Sequence, residues 1–186
     1  MEARVCVLAG DGVGKEVTTE SMKVLEAICR KYEHNFEFIH AIVGGAAIDK
    51  FNNPLPAESM NLALGSDAIL FGAVGGPKWD NPLSEIRPED AILALRKRLG
   101  LFANLRPVKV YPELLHSSPL RPEYLKDVDF VIVRELTGGL YFGRPKRRSA
   151  STRGRRAVDT LAYSEKEIAR VVRVAFELAK SRRKRL

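Results

Sequence analysis

Residues 5–14, VCVLAGDGVG, decide the fold class, because a short apolar run leads directly into a glycine-rich turn. Apolar side chains then recur at near-helical spacing over residues 17–32, which predicts a helix after the turn. Residues 68–71 again indicate a strand, and residues 88–99 a helix that stops near Gly100. Strands that alternate with helices predict an α/β fold on a mixed, largely parallel sheet.

The glycine turn does not match either common nucleotide fingerprint. The dinucleotide-binding pattern needs a third glycine where this chain has Lys15. The phosphate loop of NTPases needs glycine at Ala9, and it needs serine or threonine at Glu16. The turn is therefore a glycine loop of some other kind, and it predicts close contact between strand and helix.

Composition narrows the class of protein. The chain has 186 residues, of which 45% are hydrophobic and 29% charged, enough for one large or two small domains. We find no apolar run of transmembrane length and no secretory signal, so no membrane association is expected. Cys6 and Cys29 form no CxxC motif, which favours a reduced, cytoplasmic location.

The positive charge is concentrated near the C-terminus. Residues 144–186 hold 15 basic and 4 acidic side chains, whereas residues 1–143 hold 16 basic and 19 acidic ones. Residues 143–152 lack periodicity, and we expect a basic arm over about residues 143–163. A solvated arm is the favoured interpretation, and a patch that binds nucleic acid or an acidic partner is the alternative.

Three arginines and one tyrosine occupy positions where sites often form. Arg96 lies on the predicted helix, Arg106 precedes a proline within a strand, and Arg134 ends an apolar strand. Arginines that converge would bind carboxylates through forked hydrogen bonds, but separate ion pairs explain them equally well. Tyr141 follows two glycines after the same strand, where it could donate a proton or pack at the base of the arm.

Four longer motifs carry a family resemblance. They are residues 10–17 (GDGVGKEV), 72–80 (GAVGGPKWD), 101–107 (LFANLRP) and 134–143 (RELTGGLYFG). Together they resemble the isocitrate/isopropylmalate dehydrogenase family, and within it the 3-isopropylmalate dehydrogenases, over the whole chain. The resemblance implies the two-domain fold of that family, which is not a classical Rossmann fold, with residues 1–100 in the first domain and residues 101–186 in the second.

The resemblance also implies a reaction. The family's enzymes use NAD and a divalent cation, Mg²⁺ or Mn²⁺, and the substrate here would be 3-isopropylmalate, converted to 2-oxoisocaproate in leucine biosynthesis. The positions that match the family's carboxylate-binding arginines are Arg96, Arg106 and Arg134. Tyr141 matches the tyrosine that protonates the enol after decarboxylation. The positions that face the substrate's variable group are Glu89, Ile92 and Leu93.

The cofactor assignment follows the same matches. The stretch along the nicotinamide end of NAD includes Gly76, Pro77, Lys78, Trp79, Asp80 and Glu89. In the family a strand with the catalytic lysine and then the metal-binding aspartates follow the helix that ends this chain. We therefore expect an N-terminal part, incomplete at the C-terminus, that is inactive alone and holds none of the metal ligands. The arm is expected to pair with a second copy in a homodimer.

Two alternatives stay open. A related enzyme would act on tartrate, homoisocitrate or isocitrate, although the apolar pair Ile92 and Leu93 favours an isopropyl group. A non-enzymatic nucleic-acid-binding protein would use the basic segment, but that segment lacks interleaved aromatic residues. The resemblance favours the dehydrogenase.

Overall fold

β1 (Glu2–Gly10) is the central strand of a three-stranded parallel sheet, between β2 (Asn35–His40) and β3 (Ala68–Ala73). Val7 is aligned with His40 on one side and with Leu70 on the other. Side chains 5–8 are all buried, as expected of a central parallel strand covered on both faces. The α/β class and the parallel sheet predicted from residues 5–14 are confirmed here.

The computed structural model describes residues 1–81 and 83–186, which divide into the units Met1–Leu99 and Gly100–Leu186. The first unit contains α1 (Val13–Tyr32), α2 (Gly45–Phe51), α3 (Ala57–Leu64), a 3-10 helix (Pro77–Trp79) and α4 (Asp90–Arg98). The second unit contains β4 (Ala103–Lys109), a 3-10 helix (Pro112–Ser117), α5 (Pro122–Leu125), β5 (Asp129–Glu135), a 3-10 helix (Gly139–Tyr141), β6 (Arg147–Ser151), β7 (Gly154–Val158) and α6 (Glu165–Lys180).

The glycine turn brings α1 close to the sheet. A Cβ atom on Gly14 would lie 2.3 Å from the carbonyl oxygen of Ala9, so only glycine allows this approach. Small residues, Gly14 and Thr18, are the buried positions of α1, whereas Val17, Val24 and Ile28 are exposed. The fully buried positions of α1 are therefore small residues at its start, where the helix approaches the sheet.

The second unit contains an antiparallel strand pair, which the predicted mixed sheet allows. β4 and β5 are antiparallel, with Asn104 opposite Arg134 and Arg106 opposite Ile132. The connection between them holds only short helices, and the chain returns through it in the opposite direction. α6 packs on β5, and its first turn is closed by a capping box between Ser164 and Glu167.

Candidate functional site

A cleft of about 360 Å³ opens in the first unit just beyond β3. Its lining residues are Val74, Gly75, Gly76, Pro77, Trp79, Asp80, Pro88 and Glu89. A Cβ atom on Gly75 would lie 3.0 Å from Oε1 of Glu89, so the glycine keeps this part of the cleft open. The structure thus brings together all the predicted cofactor residues except Lys78.

Lys78 and Trp79 are both held by Asp49 on α2. The Lys78 ammonium lies 2.5 Å from the Asp49 carboxylate, and the Trp79 indole N–H donates to the same group over 3.1 Å. These hydrogen bonds, that of Lys78 first, lower the pKa of Asp49 below its ordinary value. Lys78 therefore holds the loop against α2. The Trp79 ring lies over Gly45, and a Cβ atom on that glycine would come within 2.4 Å of the ring.

Asp11 is a residue of this region that the sequence motifs did not single out. Its side chain is buried, and its carboxylate accepts hydrogen bonds from the backbone N–H groups of Gly45, Ala46 and Gly75. The available sequence signal was an aspartate between two glycines directly after an apolar strand. The three donors belong to distant parts of the sequence, so spacing alone could not reveal them.

One face of α4 carries the residues predicted to contact substrate. Glu89 immediately precedes the helix, and Ile92, Leu93 and Arg96 follow it at spacings of three, four and seven residues, which share a face. Ala91 and Leu95 are buried on the other side of the helix. An ion pair of 3.7 Å joins the Arg87 Nε to Glu89, and Arg87 also lies 3.5 Å from Asp80.

The second unit brings two predicted arginines onto one sheet face. Opposite residues of antiparallel strands share a face, so Asn104, Arg106 and Arg134 lie together. The Arg106 Nε donates to Oδ1 of Asn104 over 2.7 Å. The guanidinium of Arg134 also lies 5.4 Å from the centre of the Tyr141 ring. Arg106, Arg134 and Tyr141 are all exposed, and we call this group the arginine face.

Glu135, on the opposite sheet face, holds the chain that leads to Tyr141. Its carboxylate accepts from the backbone N–H groups of Thr137 and Gly138, each over 2.7 Å, and from Arg170 of α6 over 2.6 Å. Burial alone would raise the pKa of Glu135, but the bonds from Thr137, Gly138 and Arg170 outweigh it and lower that pKa. Glu135 thus holds, on the opposite face of the sheet, the chain segment that leads from Arg134 to Tyr141.

The arm predicted over residues 143–163 contains an antiparallel hairpin of β6 and β7, with Arg148 opposite Ala157 and Ala150 opposite Arg155. Residues 144–158 hold seven basic and no acidic side chains. Lys146 pairs with Asp159 over 3.5 Å. Nearly all side chains of the two strands are exposed, so the hairpin is a strongly positive surface.

The described residues do not fit a metal site. Within 1–81 and 83–186, no three His, Cys, Asp or Glu side chains are grouped so that they could hold a metal ion. In the same ranges, no helix combines the length and the apolar character needed to cross a membrane.

Comparison with known proteins places the chain in a family. The profile described as isocitrate/isopropylmalate dehydrogenase matches residues 4–186. The 3-isopropylmalate dehydrogenase of Bacillus subtilis (strain 168) is 53% identical over 98% of this chain and 50% of its own length. That of Anaeromyxobacter dehalogenans (strain 2CP-C) is 53% identical over 100% of this chain and 53% of its own. The chain therefore spans about half the length of the curated relatives it matches.

Solved structures show the same likeness. An isocitrate dehydrogenase from Methylococcus capsulatus superposes with a TM-score of 0.74 at 25% identity, covering 96% of this chain and 48% of that one. A beta-decarboxylating dehydrogenase from Thermococcus kodakarensis superposes with a TM-score of 0.63 at 32% identity, covering 96% and 46%. The profile match spans nearly the whole sequence, and the chain belongs to the isocitrate/isopropylmalate dehydrogenase family.

Proposed function

We propose that this chain is the substrate-binding part of an NAD-dependent 3-isopropylmalate dehydrogenase that oxidises and decarboxylates its substrate in leucine biosynthesis. The observation that carries the proposal is the arginine face, where Arg106 and Arg134 share one face of the β4–β5 sheet and the Tyr141 ring lies beside Arg134. Its support is the 53% identity to curated enzymes of that name. A cytoplasmic location is part of the proposal, since Cys6 and Cys29 are free thiols.

The arginine face would bind the dicarboxylate. Guanidinium groups pair with carboxylates through two parallel N–H donors, and Asn104 holds the Arg106 Nε so that its terminal nitrogens stay available. Arg96 on α4 is also proposed to bind a substrate carboxylate, as the resemblance implies. Tyr141 would supply a proton from its hydroxyl after decarboxylation, and the ring contact with Arg134 fixes where that hydroxyl lies.

Specificity for the isopropyl group would come from α4. Ile92 and Leu93 are half-buried apolar side chains on the same helix face as Glu89. Apolar side chains stabilise a branched alkyl group by excluding water, whereas the third carboxylate of isocitrate would lose hydration there. This contrast favours 3-isopropylmalate over isocitrate as the substrate.

The cleft of the first unit fits the nicotinamide end of NAD, which when bound supplies the hydride acceptor. Gly75 and Gly76 leave room for a ligand against the backbone, and the Asp80 and Glu89 carboxylates can accept hydrogen bonds from ribose hydroxyls. Residues outside this sequence would hold Mg²⁺ or Mn²⁺, because the described residues offer no group for it. We therefore propose that the 186 residues alone are inactive.

The test uses a chimera in which residues 1–186 continue in frame into the segment of the Bacillus subtilis relative that follows the matched region. With Mg²⁺ present, we expect 3-isopropylmalate to support NADH formation and isocitrate to support much less. The 186-residue chain assayed alone is the control and should form no NADH. NADH formation by that chain without added metal would contradict the proposal, as would a chimera that prefers isocitrate.

The partner proposed for the arm is a second copy of this chain, in a symmetric homodimer. An isolated two-stranded hairpin has too little buried surface to be stable in water, which favours an arm that pairs with another chain. Sedimentation velocity tests this, with a monomer at all protein concentrations as the outcome against it. Saturable, salt-sensitive binding of duplex DNA by such a monomer would favour the nucleic-acid alternative.

A further inference from the structure

Asp11 is a buried carboxylate that the proposed reaction leaves without a role. It is 3% exposed, and its Oδ2 accepts hydrogen bonds from the backbone N–H groups of Gly45 (2.6 Å) and Gly75 (3.0 Å). Its Oδ1 accepts a third bond, from the N–H of Ala46 (2.8 Å). One side chain from the turn after β1 thereby joins the start of α2 to the loop after β3.

Both segments held by Asp11 shape the cleft proposed for NAD. Gly75 forms part of its lining, and Gly45 supports the ring of Trp79, which forms another part. If the carboxylate were lost, neither segment would be tied to the other at this point. Asp11 itself lies behind these segments and is not among the residues that line the cleft.

The surroundings of Asp11 leave little freedom to compensate for its loss. A Cβ atom on Gly44 would lie 2.4 Å from the Asp11 Oδ2, and one on Gly45 would overlap the Trp79 ring. An asparagine has one acceptor oxygen and turns its NH₂ group towards a backbone donor. In either amide orientation at least one backbone N–H of Gly45, Ala46 or Gly75 therefore loses its partner in a buried position.

We propose that Asp11 is a positioning residue for the cofactor cleft, which fixes the backbone of Gly75 and, through Gly45, the ring of Trp79. The inference rests on the proposed function, because it takes this cleft to be the NAD site. Asp11 acts through the two loops and does not touch the cofactor. The cleft is therefore preformed before any ligand arrives, which lowers the ordering cost of binding.

Trp79 reports on this arrangement directly, because it is the only tryptophan in the chain. The experiment measures acrylamide quenching of Trp79 fluorescence in the wild-type chain, in Asp11→Asn and in a matched control. Asp67→Asn is that control, since Asp67 also accepts a backbone N–H, from Arg4 over 2.8 Å. Asp67 lies at the start of β3, at the other end of the sheet from the cleft.

We expect the quenching constant of Asp11→Asn to rise by about twofold or more, because local opening exposes the indole. Asp67→Asn should keep the wild-type constant even where its thermal midpoint falls. Far-UV circular dichroism establishes that each variant is folded under the conditions used. An unchanged quenching constant in folded Asp11→Asn would overturn the inference. If Asp11→Asn does not fold, Gly44→Ala, which displaces the carboxylate, is measured instead with the same expectation.

NAD binding separates this inference from the proposed function. Equilibrium dialysis of NAD against the chimera should show binding to the wild type and to Asp67→Asn, and at least about tenfold weaker binding to Asp11→Asn. If the wild-type chimera binds no NAD, the proposed cofactor site fails, while the Trp79 measurement still decides whether Asp11 sets the loop. If Asp11→Asn binds NAD as the wild type does, its positioning role is refuted and the cofactor site stands.

Discussion

The guanidinium carbon of Arg134 lies 5.4 Å from the centre of the Tyr141 ring, within the range of a cation–π interaction. Arg134 is the last residue but one of β5 and Tyr141 ends the 3-10 helix Gly139–Tyr141, so the contact spans the turn between the two elements. The ring restricts the guanidinium, and the charge in turn fixes the ring. In the proposed reaction, the group that binds a carboxylate and the group that donates the proton are therefore positioned together.

Tyr141→Phe separates the ring from its hydroxyl. We expect the unfolding free energy to change by less than about 1 kcal/mol, because the ring stays beside Arg134 and Tyr141 is 52% exposed. In the chimera, formation of 2-oxoisocaproate should fall by about 10²- to 10⁴-fold, the usual contribution of a general acid, because the enol left after decarboxylation is not protonated. NADH formation and CO₂ release in the first turnover should persist, measured by stopped-flow absorbance and by trapping of CO₂.

Tyr141→Leu is the matched variant that removes the ring as well. It should also weaken 3-isopropylmalate binding, by about 0.5–1 kcal/mol for an exposed cation–π contact. Formation of 2-oxoisocaproate by Tyr141→Phe at the wild-type rate would show that another group supplies the proton.

Arg106→Lys keeps the positive charge but removes the Nε–H that donates to Asn104. A lysine is a point charge without the planar fork, so we expect 3-isopropylmalate binding to weaken by about 1.5–3 kcal/mol, at least tenfold in Kd. Isothermal titration calorimetry of the chimera measures this. Stability should change little, since Arg106 is exposed.

Asn104→Ala provides the comparison, because it leaves the Arg106 fork intact and only frees it to move. Its effect on 3-isopropylmalate binding should be smaller, about 0.5–1.5 kcal/mol. Equal Kd values for Arg106→Lys and wild type would remove Arg106 from the proposed site.

The features predicted well from the sequence are those set by neighbouring residues. The apolar run and glycine turn at residues 5–14 produced β1 and the tight entry into α1, because only local sterics and burial decide them. For longer-range pairing, the sequence predicted only a mixed, largely parallel sheet. The antiparallel pairing of β4 with β5 depends on which way the connection turns, and local periodicity does not carry that information.

The same distinction holds in the candidate site. Trp79 and Glu89 meet in one cleft, but Lys78 forms an ion pair with Asp49 on α2, a helix that no sequence motif predicted. The role of Asp11 depends on backbone groups more than thirty residues away. Such contacts cannot be predicted from local sequence, because they form only when the folded chain brings the loops at one end of the sheet together.

We expect the basic hairpin to make dimerisation stronger as the salt concentration rises. Two arms that pair would each bring seven basic and no acidic side chains from residues 144–158. Like charges repel, and the Debye length falls to about 10 Å at 0.1 M salt, so added salt should favour the dimer. Sedimentation velocity from about 50 to about 500 mM NaCl should show a rising dimer fraction.

A double variant tests whether the hairpin is the cause. Arg148 and Arg155 share one hairpin face with Ala150 and Ala157, so Arg148→Gln with Arg155→Gln lowers the charge there without altering the strand pairing. The dimer fraction of this variant should depend less on salt. A wild-type dimer that dissociates as salt rises would show that attractive ion pairs hold it instead.

Glu135 should make the stability of the second unit fall in acid. Its pKa is lowered in the folded chain, because the bonds from Thr137, Gly138 and Arg170 outweigh the effect of burial. A carboxylate with a lowered folded pKa stabilises the fold above its unfolded pKa, about 4.3 for glutamate, and this contribution is lost as pH falls through the folded value.

Glu135→Gln isolates this contribution from those of other carboxylates. At pH 7 the variant lacks the negative charge of Glu135. That carboxylate pairs with Arg170 and accepts hydrogen bonds from two backbone N–H groups, and its side chain is only 7% exposed. We expect it to be less stable by about 1–3 kcal/mol in urea unfolding at that pH. Below its lowered folded pKa, wild-type Glu135 is protonated and resembles glutamine, so the difference between the two proteins should shrink towards zero as pH falls through that value. Glu177→Gln, on the exposed side of α6 beside Lys180, should cost little at either pH. A stability difference between wild type and Glu135→Gln that stays constant from pH 7 into acid would show that the ionised carboxylate does not stabilise this loop.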